Sequence, residues 1–352
     1  MYQTSTILQS FNEIEMYKSR WFKQNDQIIN PIEINLSDYK KDRDAYIKRL
    51  NNIYQKNLDN SDVEGIFGKA SFLDNNTIEC NGDTYQAENI LIACGGMPSK
   101  LDVPGNEHTI NSDQFFDLKE VPKRTIVVGG GYIATELSQI ISTFGSKVTI
   151  LVRKCLLSTF DQELAGFQVN NLENSGITYQ CGEVEKIDKN EDGSLKVTFQ
   201  DGKIQEVDCV LVAIGRSPML GPLKLENTDV EYDQSKIHTD EFDKTTADSI
   251  HAVGDCNGKV ALTPVAIRAG RIVAERLFNN RPQLRMNYDN VPSVIFSNPP
   301  IGSVGLSEEK AVEKYGRDDL NIYKTTFGSK SLTYLNQNFE MKSSIPKRKI
   351  RL

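Results

Sequence analysis

The chain has 352 residues, a formal net charge of −7, 38% hydrophobic residues and 25% charged residues, the composition of an ordinary globular protein with room for two or three domains. The acidic balance argues against a nucleic-acid partner, and no run approaches the ~18 apolar residues that a membrane helix needs. Because the N-terminus lacks the basic flank and apolar core of a signal peptide, the cytoplasm is the expected compartment.

The cysteines and histidines show no metal-binding pattern. The three histidines and six cysteines are scattered, and no two cysteines form a Cys-x-x-Cys or Cys-x4-Cys pair. Zinc-ligand spacing is therefore absent. Cys94 and Cys209 lie in apolar predicted strands, where a cysteine is usually a small buried hydrophobe. The sequence alone predicts neither a metal site nor a redox pair.

The first third of the chain is predicted to contain two helices followed by strands. Apolar spacing predicts an amphipathic helix over residues 1–22 and a second one that begins at the N-cap Ser37. Strands are expected over Glu64–Leu73, Thr77–Cys80 and Asn89–Cys94, with a hairpin turn at Asn81-Gly82.

Residues 125–153 carry the most informative pattern in the chain. A buried β-branched strand enters a glycine turn of the form Gly-x-Gly-x-x-Ala, a helix over Ile133–Phe144 follows, and a second buried strand covers Val148–Val152. Gly129 permits the tight turn, and Gly131 leaves room for a pyrophosphate at the helix N-terminus. Ala134 lets helix and strand pack closely. This order predicts a βαβ unit that binds a dinucleotide.

The end of the second strand indicates which nucleotide is bound. An NAD site has an Asp or Glu there to accept hydrogen bonds from the ribose, whereas this chain has Arg153 and Lys154. Two cations beside the 2′-position favour a phosphate, so we predict NADP(H). The alternative is a solvated basic pair after an ordinary strand–turn–helix.

The remainder of the chain contains a second glycine–acid pattern. Strands are predicted over Leu195–Phe199 and Val207–Ile214, and another ends in Gly254-Asp255. A helix then begins with Thr263 as N-cap, and its positive end suits an electron-rich ring. The last predicted elements are a strand, turn and strand over Pro292–Gly305, a helix from Ser307 to Tyr315 and a strand over Ile322–Thr326. The basic tail Lys342–Leu352 has no pattern and is assigned no structure.

Several motifs in this order resemble the flavoprotein disulfide reductases with two dinucleotide sites, most closely glutathione reductase. They are Ala93-Cys94-Gly95, the glycine turn with Glu136, Gly215-Arg216, Gly254-Asp255 with Thr263, and the stretch from Phe296 to Gly305. The resemblance implies an α/β fold with two Rossmann-like domains and a partial α+β interface domain that closes a homodimer. The implied domains are FAD-binding over 1–112 and 241–287, NADPH-binding over 113–240 and interface over 288–352.

The resemblance implies FAD contacts for Ala93, Cys94, Gly95, Asp255 and Thr263, with Cys94 standing where the family has threonine. Tyr132 corresponds to the aromatic gate that covers the flavin, and Glu136 to the carboxylate beside the nicotinamide. The residues implied to hold NADPH are Gly129, Gly130, Gly131, Ile133, Ala134, Arg153, Lys154, Gly215 and Arg216.

Two residues match positions that contact glutathione disulfide in the resembled family, Tyr54 and Arg271. A cation at Arg271 suits the carboxylates of that substrate. Without the resemblance, a helix-packing tyrosine and a solvated arginine would be the simpler interpretation.

Parts of the family pattern have no counterpart in this sequence. The glycine turn for the FAD pyrophosphate, the Cys-x4-Cys disulfide and the C-terminal His–Glu pair are missing, so both ends look truncated and we expect no activity from the chain as written. Alternative hypotheses are a thioredoxin reductase-like enzyme, a dihydrolipoamide dehydrogenase-like enzyme (which would want an acid where Arg153 stands), or a non-catalytic NADPH-binding or dimerising remnant.

Overall fold

The computed structural model describes residues 1–6, 8, 34–328 and 338–346. By its internal contacts the chain divides into two compact units, each assembled from separate stretches. Unit 1 consists of Met1–Arg43, Lys100–Ile214 and Asn290–Leu352, and unit 2 consists of Asp44–Ser99 and Gly215–Asp289. The assignment of three cofactor and interface domains stays a prediction.

Helices and strands alternate through much of the chain. The helices are α1 (Leu36–Asp59), α2 (Ser112–Phe115), α3 (Tyr132–Thr143), α4 (Gln162–Asn174), α5 (Thr263–Phe278) and α6 (Glu308–Tyr315). The strands are β1 (Ser71–Phe72), β2 (Thr77–Cys80), β3 (Asp83–Gln86), β4 (Ile90–Ile92), β5 (Gly96–Pro98), β6 (Ile110–Asn111), β7 (Arg124–Val128), β8 (Lys147–Val152), β9 (Thr178–Cys181), β10 (Val184–Lys189), β11 (Leu195–Phe199), β12 (Ile204–Val207), β13 (Cys209–Val212), β14 (Arg216–Pro218), β15 (Ile250–Ala252), β16 (Ser293–Ile295), β17 (Ile301–Ser303), β18 (Leu320–Gly328) and β19 (Asn338–Pro346).

The centre of unit 1 is a five-stranded parallel sheet in the order β6-β13-β7-β8-β9. Strands β7 and β8 with α3 between them form the predicted βαβ unit. Their apolar residues are buried because a parallel sheet is covered on its faces. The face of α3 that carries Leu137, Ile140 and Ile141 packs into the same core. The predicted Rossmann-like α/β fold is confirmed.

Three antiparallel arrangements complete unit 1. Strands β10, β11 and β12 form a sheet that encloses a second apolar cluster, and β16 pairs with β17. Strand β18 pairs with β19 along its whole length, from Leu320 opposite Pro346 to Gly328 opposite Asn338.

Unit 2 contains the hairpin meander β1-β2-β3, the antiparallel pair β14-β5 and the parallel pair β15-β4. The predicted Asn81-Gly82 turn joins β2 to β3, and both residues have positive φ (58° and 91°), as a two-residue hairpin turn requires. Buried Ile90, Ile92, Ile250 and Ala252 hold β4 and β15 in one core.

Three expectations about element boundaries were wrong. Helix α1 begins at Leu36, one residue before the predicted cap Ser37, and the Asn35 side chain instead accepts a hydrogen bond from the Asp38 N–H at 3.2 Å. Only Ser71–Phe72 of the expected strand Glu64–Leu73 pairs with a neighbour. Thr263 is the first helical residue of α5 rather than its cap, which is Leu262 in extended conformation.

Residues 342–346 of the tail that was predicted to have no structure belong to strand β19, which pairs with β18, and residues 347–352 lie outside the described residues. Strand β18 supplies the backbone hydrogen bonds that hold residues 342–346 in a strand, and the local sequence shows no sign of this partner. At the other end, residues 2–6 and 8 of the predicted helix 1–22 are helical, and residues 7 and 9–22 lie outside the described residues.

Candidate functional site

The glycine turn after β7 is closed by Gly129. Its φ is +141°, and a Cβ at this position would lie 2.2 Å from the Ala213 carbonyl oxygen. The Gly129 N–H donates to the Leu151 carbonyl at 2.9 Å, and the carbonyl of Gly130 accepts from the Leu157 N–H at 2.6 Å. Only glycine fits this turn, because any side chain would collide with the end of strand β13.

Gly131 has a different role, since it is the N-cap of α3. No described side chain caps this helix N-terminus, and no described atom lies within 4 Å of the position that a Gly131 Cβ would occupy. Ala134 is fully buried, and Ile133 packs against the same core. The helix thus presents backbone N–H groups to open space, which suits the pyrophosphate of a dinucleotide.

Arg153 and Lys154 directly follow the last residue of β8, at the carboxyl edge of the parallel sheet. Both side chains are exposed, and neither has a hydrogen bond or ion pair with any described residue. Ligands of open α/β sheets bind at this edge, so both charges are available to a phosphate there.

The side chain of Glu136 is tied to the segment between β16 and β17. Its Oε1 accepts a hydrogen bond from the Phe296 N–H at 2.8 Å. Burial raises the pKa of Glu136, and this hydrogen bond opposes the shift. One turn further along α3, the Gln139 amide exchanges two hydrogen bonds with the backbone of Asn298, at 2.8 and 2.9 Å. Tyr132, at the start of the helix, is 46% exposed.

The residues predicted to hold FAD lie together in unit 2. Strands β4 and β15 are parallel with Ile92 opposite Ala252, so the stretches that follow them, with Cys94 and Asp255, leave the pair at the same edge. Gly95 has φ +66°, and no described atom lies within 4 Å of where its Cβ would be. This juxtaposition of a glycine, an acid and two strand ends fits a flavin nucleotide.

The N-terminus of α5 adds an uncapped helix end to unit 2. Thr263 is exposed, Pro264 occupies the second helical position, and no described side chain makes a capping hydrogen bond there. The backbone of this first turn can therefore donate toward an electron-rich group, as predicted from the sequence.

Gly215 and Arg216 also belong to unit 2. Gly215 has φ +137°, and Arg216 begins β14, which pairs with β5. The Arg216 guanidinium donates to the Gly96 carbonyl oxygen, so this arginine adds a side-chain contact to the pairing of β14 with β5. A contact of either residue with NADPH stays a prediction.

The two predicted substrate residues are on helix surfaces of unit 2. Tyr54 on α1 is 68% exposed, and Arg271 on α5 is also exposed. Neither forms a hydrogen bond or ion pair with a described residue. Their roles in substrate binding stay a prediction.

The sequence offered no partner for Cys94, but the structure brings Cys256 beside it. A side-chain hydrogen bond with Cys256 lowers the pKa of Cys94 to about 7, while the same hydrogen bond and burial raise the pKa of Cys256. The parallel pairing of β4 with β15 places Cys94 and Cys256 at the same edge of the two strands. In the sequence, the only indication of this proximity is that the Ala93-Cys94-Gly95 and Gly254-Asp255 motifs both follow predicted strands.

Comparison with known proteins agrees with this architecture. The family described as pyridine nucleotide-disulphide oxidoreductase matches residues 10–270, and the dimerisation domain of the same family matches residues 291–344. The chain therefore belongs to the pyridine nucleotide-disulphide oxidoreductases, flavin-dependent enzymes that use a pyridine nucleotide.

Among solved structures, the chain is similar to the HOCl-induced flavoprotein disulfide reductase RclA from Escherichia coli, with 26% identity and a TM-score of 0.80 over 89% of this chain and 74% of that one. Two Cu(II) complexes of RclA, one of a cysteine-to-serine mutant, match with the same score and identity over 89% of this chain and 73% of theirs. Within the described part of the chain, no helix is long and apolar enough to cross a membrane.

Proposed function

We propose that this chain is a glutathione reductase-like oxidoreductase that takes electrons from NADPH. The observation that carries the proposal is the position of Arg153 and Lys154, two exposed cations directly after the second strand of a dinucleotide-binding βαβ unit. A carboxylate there would accept hydrogen bonds from the NAD ribose, whereas guanidinium and ammonium groups pair with the 2′-phosphate of NADPH.

FAD is the proposed partner of the nicotinamide, held by Ala93, Cys94, Gly95, Asp255 and Thr263. A bound flavin supplies an acceptor for hydride and a donor of electrons to a disulfide. Tyr132 would be the aromatic gate that covers the flavin until NADPH displaces it, and Glu136 would lie beside the nicotinamide. Burial raises the pKa of Glu136, so ionisation of this carboxyl group is less favourable than that of an exposed glutamate.

Glutathione disulfide is the proposed substrate class, with Tyr54 and Arg271 as its contacts. The similarity to a flavoprotein disulfide reductase supports a disulfide substrate in general. The exchange step needs paired thiols beside the flavin, and this sequence contains no Cys-x4-Cys. We therefore propose that these residues alone sustain NADPH binding and slow transfer to added flavin, without turnover of glutathione disulfide. Residues 291–344 would form the interface of a homodimer. The cytoplasm is the proposed compartment.

The test uses the full chain as written. NADPH consumption is measured with added FAD and an electron-accepting dye, and separately with FAD and glutathione disulfide. We expect dye reduction with NADPH above that with NADH, little flavin in the purified protein, and no glutathione-dependent rate. Equal use of both nucleotides would refute the NADPH assignment. Rapid turnover of glutathione disulfide would show that our account of the missing thiols is wrong.

A further inference from the structure

The backbone of residues 296–298, between β16 and β17, is hydrogen-bonded to side chains on one face of α3. The Phe296 N–H donates to Glu136 Oε1 at 2.8 Å, and the Asn298 N–H donates to Gln139 Oε1 at 2.8 Å. The Gln139 Nε2 group donates back to the Asn298 carbonyl oxygen at 2.9 Å. Glu136 and Gln139 are three residues apart, so they are neighbours on the helix surface. These hydrogen bonds fix the segment against the helix that begins at the glycine turn.

We propose that Gln139 is a positioning residue for the nicotinamide half of the bound dinucleotide, and that it acts through the Phe296 N–H and Glu136. This inference rests on the proposed function, because that function places Glu136 beside the nicotinamide. It adds a residue whose own amide group is occupied by the Asn298 backbone, so Gln139 influences the nucleotide through its neighbours.

The two hydrogen bonds of Gln139 hold Asn298 more tightly than a single one would. The side-chain amide accepts from the N–H and donates to the carbonyl of the same residue, as a neighbouring β-strand would. Any shift or rotation of Asn298 therefore lengthens at least one of the two bonds. Ile295, on the other side of Phe296, is buried in the core cluster that contains Leu137 of α3. Phe296 thus lies between a packed residue and a hydrogen-bonded one.

The Phe296 N–H fixes one oxygen of the Glu136 carboxylate and leaves the other available. Oε1 accepts this N–H, whereas Oε2 has no hydrogen-bond or ion-pair partner among the described residues. Because a carboxylate is planar, holding Oε1 sets the direction of Oε2, which suits a donor such as the carboxamide of a nicotinamide. Without the Phe296 N–H, the side chain gains rotamer freedom that must be lost again when a ligand binds.

The position of Glu136 along the helix separates its effect from that of the cations after β8. The nicotinamide is common to NADPH and NADH, whereas the 2′-phosphate is not. Loss of the Gln139 hydrogen bonds should therefore weaken both nucleotides by the same factor. It should leave the binding of adenosine 2′,5′-bisphosphate unchanged, because that compound has the phosphate but no nicotinamide. Charge reversal at Arg153 and Lys154 should instead weaken the two ligands that carry the 2′-phosphate.

The first experiment titrates the full chain with NADPH, NADH and adenosine 2′,5′-bisphosphate in a calorimeter. Gln139→Met removes both hydrogen bonds at similar side-chain volume, and we expect about three- to tenfold weaker binding of NADPH and NADH. Thr143→Val is the matched control. It removes the hydrogen bond from Thr143 Oγ1 to the Gln139 carbonyl oxygen, 2.8 Å long, one turn further along the same helix, and should leave all three affinities unchanged.

A double variant separates positioning from a general loss of stability. In the Glu136→Ala background, Gln139→Met should have no further effect on NADPH affinity, because the carboxylate through which it acts is gone. The same fall in affinity with and without Glu136, or an equal fall for adenosine 2′,5′-bisphosphate, would overturn the proposal. Equal affinities of the unmodified chain for NADPH and NADH would refute the NADPH assignment and would leave this inference standing, because both nucleotides contain the nicotinamide.

Hydrogen exchange in the nucleotide-free chain tests the same link without a ligand. Gln139→Met removes the acceptor of the Asn298 N–H, so exchange at Asn298 should accelerate whatever the role of Gln139. Positioning also requires faster exchange at the Phe296 N–H, although its own acceptor, Glu136, is unchanged in this variant. Thr143→Val should leave both amides as protected as in the unmodified chain. Unchanged protection of Phe296 in Gln139→Met would contradict the proposal.

Discussion

The ammonium group of Lys342 lies 3.0 Å from the carboxylate of Asp161, although 181 residues separate the two in sequence. Asp161 caps α4 and also accepts a hydrogen bond from the Glu308 N–H at 3.1 Å. Lys342 contacts two further carboxylates, Glu163 at 2.9 Å and Glu308 at 2.7 Å. One lysine of β19 thus connects the first turns of α4 and α6.

Replacing Lys342 by Met should destabilise unit 1. The lysine side chain is only 8% exposed, and its loss leaves Asp161 without its cation, whereas Glu163 keeps Lys324 and Glu308 keeps Arg317. Because the carboxylates are partly exposed, the loss should be on the order of 1–2 kcal/mol, below that of a fully buried ion pair. Urea unfolding measures the change, with Lys310→Met on the exposed face of α6 as the matched control. If both variants lose the same small amount, the cluster contributes nothing to stability.

The stabilisation of the folded state by this cluster should decrease at both low and high pH. The hydrogen bond with Lys342 lowers the pKa of Glu308 below 4.5, so its stabilisation is present above that value and is lost as pH falls through the lowered pKa. The pKa of Lys342 is raised above 10.5, because hydrogen bonds to the carboxylates outweigh the opposing effect of burial. That stabilisation is lost as pH rises through the raised pKa. The difference between the unmodified chain and Lys342→Met should be largest between about pH 5 and 10 and should shrink outside this range, as thermal unfolding at a series of pH values can determine.

Alanine substitutions at Gly129 and Gly131 should have opposite consequences. Gly129→Ala forces a side chain into positive φ and against the Ala213 carbonyl, so we expect a loss of at least about 1–3 kcal/mol of stability. Gly131→Ala meets open space at an extended φ of −87° and should fold normally. Its methyl group would, however, occupy the space assigned to the pyrophosphate, so NADPH affinity should fall. Calorimetric titration and thermal unfolding of both variants test this; normal NADPH binding by Gly131→Ala would refute the assigned site.

Reversing the charges of Arg153 and Lys154 together should weaken NADPH far more than NADH. Each charge-assisted hydrogen bond to phosphate contributes about 1.5–3 kcal/mol, so a loss of at least about tenfold in NADPH affinity is expected. Lys147→Glu provides the control, because Lys147 is an exposed cation at the opposite end of β8. Equal affinities of the unmodified chain for the two nucleotides would contradict the prediction, as would an equal effect of Lys147→Glu.

Two substitutions of Glu136 should change the free energy of unfolding in different directions. Gln retains an oxygen that can accept the Phe296 N–H, and it removes a carboxylate whose ionisation burial disfavours. Glu136→Gln should therefore be as stable as the unmodified chain or more so at neutral pH. Glu136→Ala leaves the Phe296 N–H without this acceptor and should lose about 1 kcal/mol. Denaturant unfolding at pH 7 compares them, and a Gln variant less stable than the Ala variant would exclude this explanation.

The βαβ unit could be predicted from sequence because its information is local. A β-branched run, a glycine turn and an apolar helical period stand within thirty residues, and each element agrees with the next. The positions of Arg153 and Lys154 follow directly from the end of β8. The same holds for the Asn81-Gly82 turn, whose backbone angles depend only on the residues that form it.

Other features depended on partners that are distant in sequence. Residues 342–346 were predicted to have no structure, yet β18 supplies their hydrogen bonds, and carboxylates at the starts of α4 and α6 contact Lys342. Likewise, neither Cys94 nor Cys256 has a neighbour that marks it as one of a pair. The register of two parallel strands places the stretches that carry them at the same edge. Local composition thus determined the nucleotide turn, whereas the charge cluster was decided by tertiary structure, because the contact of Lys342 with Asp161 forms only when segments 181 residues apart meet.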